Sequence, residues 1–209
     1  MLYYECHEED RKISSRGGRD RDLKPIRAVV THLKTFFSLC MTFKEVVKEK
    51  LIIASKEYKK LMQYDYHIQS NSFLYQSEYI LRFYEDNFLH LTGIKTNLKA
   101  KVFYKKCLNK YLSDEDFDCD SNKDLKNKVK EKLKNLSRIG DFFCRKLVVQ
   151  ENFAKNRIQC KIASSDGLCT LGFVCIKDSI CVPKTLLNRK QTNPEFEISN
   201  FVLSKKRKG

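Results

Sequence analysis

The sequence predicts an α+β domain in which N-terminal helices pack on an antiparallel β-sheet. Three observations carry this. Apolar residues recur at three- and four-residue spacing between 26 and 63, and the period switches to two near residue 65. The last third is then a succession of short, alternating or continuously apolar runs separated by turn residues. Hydrophobic residues make up 42% of the 209, enough to bury a core and to set aside wholesale disorder. No apolar run approaches the ~20 residues needed to span a bilayer.

The elements follow in order. A short strand is expected at 3–7, then a polar, glycine-containing arm at 8–24. Pro25 opens a helix whose stripe is Ile26, Val29, Val30, Leu33, Phe36, Phe37 and Cys40. A second helix at 43–63 lines up Phe43, Val47, Leu51, Ala54, Tyr58 and Leu61. Residues 65–70 and 72–84 read as a β-hairpin turning at Ser70-Asn71-Ser72, with Tyr79, Leu81 and Phe83 on one face. A helix at 97–112 carries Ala100, Phe103, Tyr104, Cys107, Leu108 and Tyr111. The acidic loop 113–122 precedes a helix at 123–145 capped by Ser121-Asn122.

Strands are then expected at 146–153, 157–163, 168–176 and 196–203, with a tight turn at 164–167. The near-continuous apolarity of 168–176 marks a central strand. The domain reading is an N-terminal arm and first helix at 1–40, an α+β domain at 41–204 and a basic tail at 205–209. That tail, Lys205-Lys206-Arg207-Lys208, is either a disordered basic end or an extra phosphate contact.

The first seven residues have neither a positive region nor an apolar one, so no secretory signal is expected and the expected compartment is the cytoplasm. Nine cysteines contain no C-x-x-C pair. Without closely spaced ligand pairs, a metal site is not expected, and an odd cysteine count in a reducing compartment implies buried, reduced thiols.

Forty-one Lys and Arg against 26 Asp and Glu leave a net charge of +15, a field that attracts phosphate backbones. An AT-rich genome could raise the lysine count without selection for binding, but it does not explain clustering. Lys95, Lys99, Lys101, Lys105, Lys106 and Lys110 fall in one acid-free stretch, off the apolar stripe of their helix. Lys123, Lys126, Lys128, Lys130, Lys132 and Lys134 crowd the next helix. Each cluster alone could be a solubilising face. Together with Arg82, Arg157 and Lys161 on strands, they predict a groove that follows a phosphate backbone, with Lys95, Lys99, Lys101, Lys105, Lys106, Lys128, Lys132, Arg157 and Lys161 as its contacts. RNA is the expected partner, with no membrane and no cofactor.

The chemistry-bearing candidate is the block Asn87-Phe88-Leu89-His90-Leu91-Thr92-Gly93, read as a loop between a strand and a basic helix. The imidazole of His90 suits proton transfer at neutral pH, and Gly93 permits a sharp turn. Equally, such a histidine could simply bond a carbonyl. A second signal is Pro183-Lys184-Thr185, where proline is expected to break a strand and release Lys184 and Thr185 towards a phosphate. His67, in an alternating strand, is a weaker candidate, as are His7 and His32.

Residues 81–108, with the N-F-x-H-L-x-G block at 87–93 and the helix bearing Ala100, Phe103-Tyr104 and Cys107-Leu108, resemble a nuclease-like group. These are the phage- and mobile-element-borne domains grouped with barnase, EndoU, colicin and RelE toxins, in the fourth branch of that series. Arg138-Ile139 and 183–187 match more loosely, and the resemblance extends over about 43–203. It implies helices on an antiparallel sheet, and a metal-independent endoribonuclease that sets the ribose 2′-hydroxyl against the adjacent phosphate. It implies His90 as acid or base, Thr92 as its orienter, and Lys184, Thr185 and Arg82 as charge stabilisers. A toxin or prophage effector, with an antitoxin or host protein as partner, is the implied context. One histidine in a motif leaves the second proton carrier to Lys, Tyr or water. Two other readings stay open: a non-catalytic nucleic-acid-binding protein, and a phage-borne protein-interaction module.

Overall fold

The first described helix is set by its cap. In a computed structural model that describes residues 41–208, Thr42 Oγ1 accepts the Glu45 amide at 3.3 Å while the Glu45 carboxylate accepts the Thr42 amide at 2.6 Å. This reciprocal pair satisfies backbone donors that a helix start otherwise leaves open. Helix α1 (Phe43–Met62) then buries Val47, Leu51, Ala54, Tyr58 and Leu61 on one stripe. Each fully buried large apolar side chain contributes about 1.5–3 kcal/mol. Three further α-helices follow among the described residues: α2 (Phe88–Thr92), α3 (Ala100–Leu108) and α4 (Lys123–Leu136). None of the described helices is long and apolar enough to cross a membrane. The strand at 3–7, the arm at 8–24 and the helix from Pro25 lie outside the described residues.

Among the described residues seven strands form one sheet: β1 (Tyr64–Gln69), β2 (Glu78–Arg82), β3 (Val148–Lys155), β4 (Ile158–Ser165), β5 (Cys169–Lys177), β6 (Ile180–Asn188) and β7 (Val202–Arg207). Their order is β3-β4-β5-β6-β2-β1-β7. The sheet is mixed rather than antiparallel, because β2 and β6 run parallel through Ile80↔Ile180 and Leu81↔Cys181. It is also curled. Glu151 of β3 accepts the Tyr79 hydroxyl of β2, although three strands separate them in the sheet. The helices cover the face bearing Tyr66, Ile68, Tyr79, Leu81, Ile162, Leu171 and Phe173, which join them in one core.

Several expectations are corrected here. The 87–93 block is a short helix, not a loop, and Gly93 ends it in the left-handed region at φ 76°. The helix expected to run to 145 stops at Leu136, and a 3-10 turn, Ile139–Cys144, follows. That turn lies close against α1 at Gly140, where a Cβ would come to 3.3 Å from the Glu57 carbonyl oxygen. The Pro183 segment is not a loop but lies inside β6, the middle strand of the seven. Phe173 pairs with Pro183 and Gly172 with Thr185, so Lys184 is the extra residue of a β-bulge. A bulge is where a sheet tolerates a residue with no N–H.

The final strand is displaced from 196–203 to Val202–Arg207, and Lys205, Lys206 and Arg207, expected as part of a basic tail, form its second half. Cys175 and Cys181, facing each other across β5 and β6, form a disulfide rather than two reduced thiols.

Candidate active site on the open sheet face

Alternation along β1 and β2 decides which side chains leave the core. With Tyr66, Ile68, Tyr79 and Leu81 buried, Asp65, His67 and Gln69 and their neighbours Glu78, Ile80 and Arg82 project from the opposite face. Register places Asp65 opposite Arg82, His67 opposite Ile80 and Gln69 opposite Glu78. Strand β7 extends the rows, with Lys206 opposite Asp65 and Ser204 opposite His67. His67 therefore stands between Glu78 and Arg82, one on each diagonal.

His67 Nδ1 lies 2.8 Å from Glu78 Oε1. An ionised carboxylate can only accept, so Nδ1 carries a proton, and in the neutral imidazole Nε2 is the acceptor. Gln69 Nε2 donates to the same oxygen at 3.0 Å and holds the carboxylate in place. Both members of the pair are half-buried, with side-chain exposures of 24% and 29%.

In the next row, Arg82 Nε donates to Asp65 Oδ1 at 2.9 Å, and Nη2 donates to Oδ2 to complete a fork. Arg82 Nη1 reaches the Tyr84 hydroxyl at 3.4 Å. Burial raises the Asp65 pKa, but the hydrogen bond and charge of Arg82, helped by Lys208, outweigh it and hold the carboxyl below its ordinary value. The Asp65 hydrogen bond, in turn, raises Arg82. Lys208 Nζ donates to the Phe83 carbonyl at 3.1 Å and lies 5.2 Å from the centre of the Tyr84 ring. Burial lowers its pKa. Asp65, Arg82, Tyr84, Lys206, Arg207 and Lys208 line a cleft of 390 Å³; Lys206 shares the face of Asp65, while Arg207, opposite Tyr64, alternates to the other face.

The residues singled out from sequence are not gathered in one place. His90 is exposed on α2 and makes no hydrogen bond or ion pair with any described residue. Its helix sends Phe88 and Leu91 into the core on the helical side, away from Arg82. Thr92 is fully buried, donating to the Leu89 carbonyl at 2.8 Å and accepting the Ile94 amide at 3.1 Å. Its hydroxyl closes the end of α2 and is not available to orient an imidazole or a phosphate. Thr185 is buried in β6 with its methyl towards Gly172. Lys184 Nζ donates to the Gln159 carbonyl of β4 at 3.2 Å, so it reaches across β5 and away from β2.

The basic contacts divide likewise. Lys106 is committed to Asp116 at 2.8 and 2.9 Å, and Lys101 faces Glu85 at 3.6 Å. Lys99, Lys105 and Lys128 are exposed on the helical layer, and Lys95 is exposed where its backbone bridges Asp118. Lys132 lays its stem over Gly93, and burial, with Lys128 adding repulsion, lowers its pKa to about 8. Arg157 and Lys161 belong instead to the β3–β4 end of the sheet, where Lys161 Nζ lies 4.6 Å from the centre of the Tyr75 ring. A single groove combining all nine is not formed.

Sequence reasoning passed over Asp65, Glu78 and Tyr84, ranked His67 below His90 and read Lys206 only as part of a basic tail. The available signal was the polar half of the hairpin alternation, Asp65-x-His67-x-Gln69 against Glu78-x-Ile80-x-Arg82.

A family model described as phage-Barnase-EndoU-ColicinE5/D-RelE like nuclease4 matches residues 50–208. No curated protein and no solved structure matches the chain. The matched span holds every strand of the sheet and the whole His67–Glu78–Arg82 face.

Proposed function

This chain belongs to the phage-Barnase-EndoU-ColicinE5/D-RelE like nuclease family, and on that footing we propose that it is an endoribonuclease with His67 as its proton carrier. The observation that carries the reading is the His67–Glu78 hydrogen bond of 2.8 Å on an open sheet face beside a cationic cleft.

In this reading His67 Nε2 takes the proton of a ribose 2′-hydroxyl, and the 2′-oxygen attacks the adjacent phosphorus. The bond to the 5′-oxygen breaks, leaving a 2′,3′-cyclic phosphate. The departing oxygen takes a proton from water. Glu78 stabilises the imidazolium that forms, as a carboxylate fixed on the far ring nitrogen does for a general base. Arg82, diagonal to His67, offsets the charge that builds on the phosphoryl oxygens. The steps use only side chains and water, so activity is expected to persist in EDTA. Unrestrained RNA cleavage harms the cell that makes the enzyme, so we place the protein as a toxin or prophage effector acting in the cytoplasm and restrained by a protein partner.

The test is cleavage of total RNA in EDTA by the wild type, His67→Ala and His90→Ala. Loss in His67→Ala alone supports the reading, and loss in His90→Ala alone moves the site to α2. Salt-sensitive RNA binding without cleavage by any of them would leave a binding protein. That second reading draws on one observation: the Arg82 fork is already filled by Asp65.

A further inference from the structure

We infer that the cleft between β1, β2 and β7 is a subsite distinct from the reacting centre. It takes an RNA phosphodiester one nucleotide away from the one cleaved, with Tyr84 as the platform for a base. The inference rests on the nuclease reading and adds to it how the substrate is held.

Register supplies the first argument. Lys206, Asp65 and Arg82 form one row across three strands, and Ser204, His67 and Ile80 form the next. Successive rows on one face are two residues apart, roughly 6.6–6.8 Å along the strands. That is a step an extended nucleotide can cover. A phosphate in the cleft and a ribose at His67 therefore fit a single strand crossing β7, β1 and β2.

Charge supplies the second. Arg82, Lys206 and Lys208 surround a single carboxylate, and that carboxylate is already taken by Arg82 and Lys208. Lys206 is exposed and is not joined to a described acid by an ion pair. It is the cation an incoming phosphate can engage without breaking an existing pair.

Tyr84 supplies the third. Its backbone carbonyl accepts the buried Tyr58 hydroxyl at 2.9 Å, its ring hydroxyl meets Arg82 Nη1, and Lys208 Nζ lies over the ring at 5.2 Å. Yet the residue is 39% exposed. A fixed, exposed aromatic ring beside cations suits base stacking with backbone contact, which is tolerant of sequence. A free anion would have no use for the ring.

The experiment compares a dinucleoside monophosphate, which offers only the scissile phosphate, with trinucleotides extended on the 5′ or the 3′ side. For Lys206→Gln and Tyr84→Leu we expect KM to rise about 3- to 10-fold on one trinucleotide, with kcat held and the dinucleoside monophosphate unaffected. Lys206→Arg should restore KM. Which trinucleotide responds fixes the strand's direction. Equal losses on all substrates, or none on any, overturn the subsite.

Binding of a 2′-O-methyl trinucleotide, which cannot react, gives an independent readout. The slope of log affinity against log salt should fall by about 0.7 in Lys206→Gln, one phosphate contact on a single strand. If the wild type cleaves no RNA but this slope falls, the subsite stands and the nuclease reading fails. If the wild type cleaves and the slope is unchanged, the subsite fails alone.

Discussion

The Nδ1 proton of His67 is given to Glu78 Oε1 at 2.8 Å across the β1–β2 hairpin, diagonally rather than between directly paired residues. Nε2 makes no hydrogen bond with a described residue. A strand pair built to bury Tyr66, Ile68, Tyr79 and Leu81 thus presents an oriented imidazole on its other side.

Removing that imidazole should remove the reaction. His67→Ala is expected to lower the cleavage rate by about 10²- to 10⁴-fold, the usual contribution of a positioned acid or base. Glu78→Gln keeps an acceptor for Nδ1 but not the charge opposite an imidazolium, so a smaller loss is expected, together with a shift of the pH–rate profile. His90→Ala should leave both unchanged. Single-turnover cleavage of a labelled RNA across pH 5–9 measures all three, and a His67→Ala enzyme with wild-type rates sinks the assignment.

Acid should loosen the same face. The folded pKa of Asp65 is lowered relative to the unfolded chain, so its contribution to stability is present above the unfolded value near ~3.9 and is lost as pH falls through the folded one. Asp65→Asn should cost on the order of 1–3 kcal/mol at neutral pH, as expected for a half-buried, charge-assisted fork. The gap between wild type and variant should close as pH falls from the unfolded value near ~3.9 through the lower folded one. Urea midpoints across that window decide it, and a gap that stays constant would mean the carboxylate charge is not the cause.

What the sequence made legible was whatever local pattern determines. The α1 stripe and the alternation of Tyr79 and Leu81 follow from periodicity, and both are in the core. Strand β6 was not legible, because Pro183 reads as a breaker unless the bulge that accommodates it is known. Strand β7 was hidden by its lysines, yet lysines are how an exposed edge strand discourages further pairing. The parallel β2–β6 contact joins residues a hundred positions apart and leaves no local trace. His67 was seen and set aside for the same reason: its partner, Glu78, is identified by register and not by spacing.

The contact of Lys132 with Gly93 should appear in alkaline rather than acidic solution. With its folded pKa lowered to about 8 by burial and by Lys128, Lys132 is charged in both states at lower pH, and folding buries that charge. Between pH 8 and the unfolded value near ~10.4 only the unfolded chain keeps the proton, so stability should rise with pH there. Lys132→Met should stabilise the protein at pH 7 and abolish that rise. Gly93→Ala should destabilise by about 1–2 kcal/mol from its left-handed backbone alone, and by more while Lys132 Cδ stands 2.9 Å from the new Cβ. Thermal unfolding of both single variants and the double variant separates the two contributions.

The Cys175–Cys181 disulfide tests how the two parts of the sheet are held together. It links directly paired residues of β5 and β6 across a sequence separation of 6, so closing so short a loop stabilises the fold by roughly 2 kcal/mol in the chain-entropy account. Its position matters more than its size. Cys181 is also the residue of β6 that pairs with Leu81, and the next bond of that junction is the Ile80 amide donating to the Ser179 carbonyl at 2.8 Å. Reduction should therefore lower the unfolding midpoint by about that amount and speed hydrogen exchange at Ile80 before it does so at Tyr66 or Ile68. A Cys175→Ala, Cys181→Ala double variant should match the reduced protein and ignore added thiol. Strand β2 carries Glu78 and Arg82, so the same treatment should slow RNA cleavage without altering the pH profile that His67 sets. If Ile80 exchanges at the same rate in the oxidised and reduced proteins, the disulfide does not hold the β2–β6 junction.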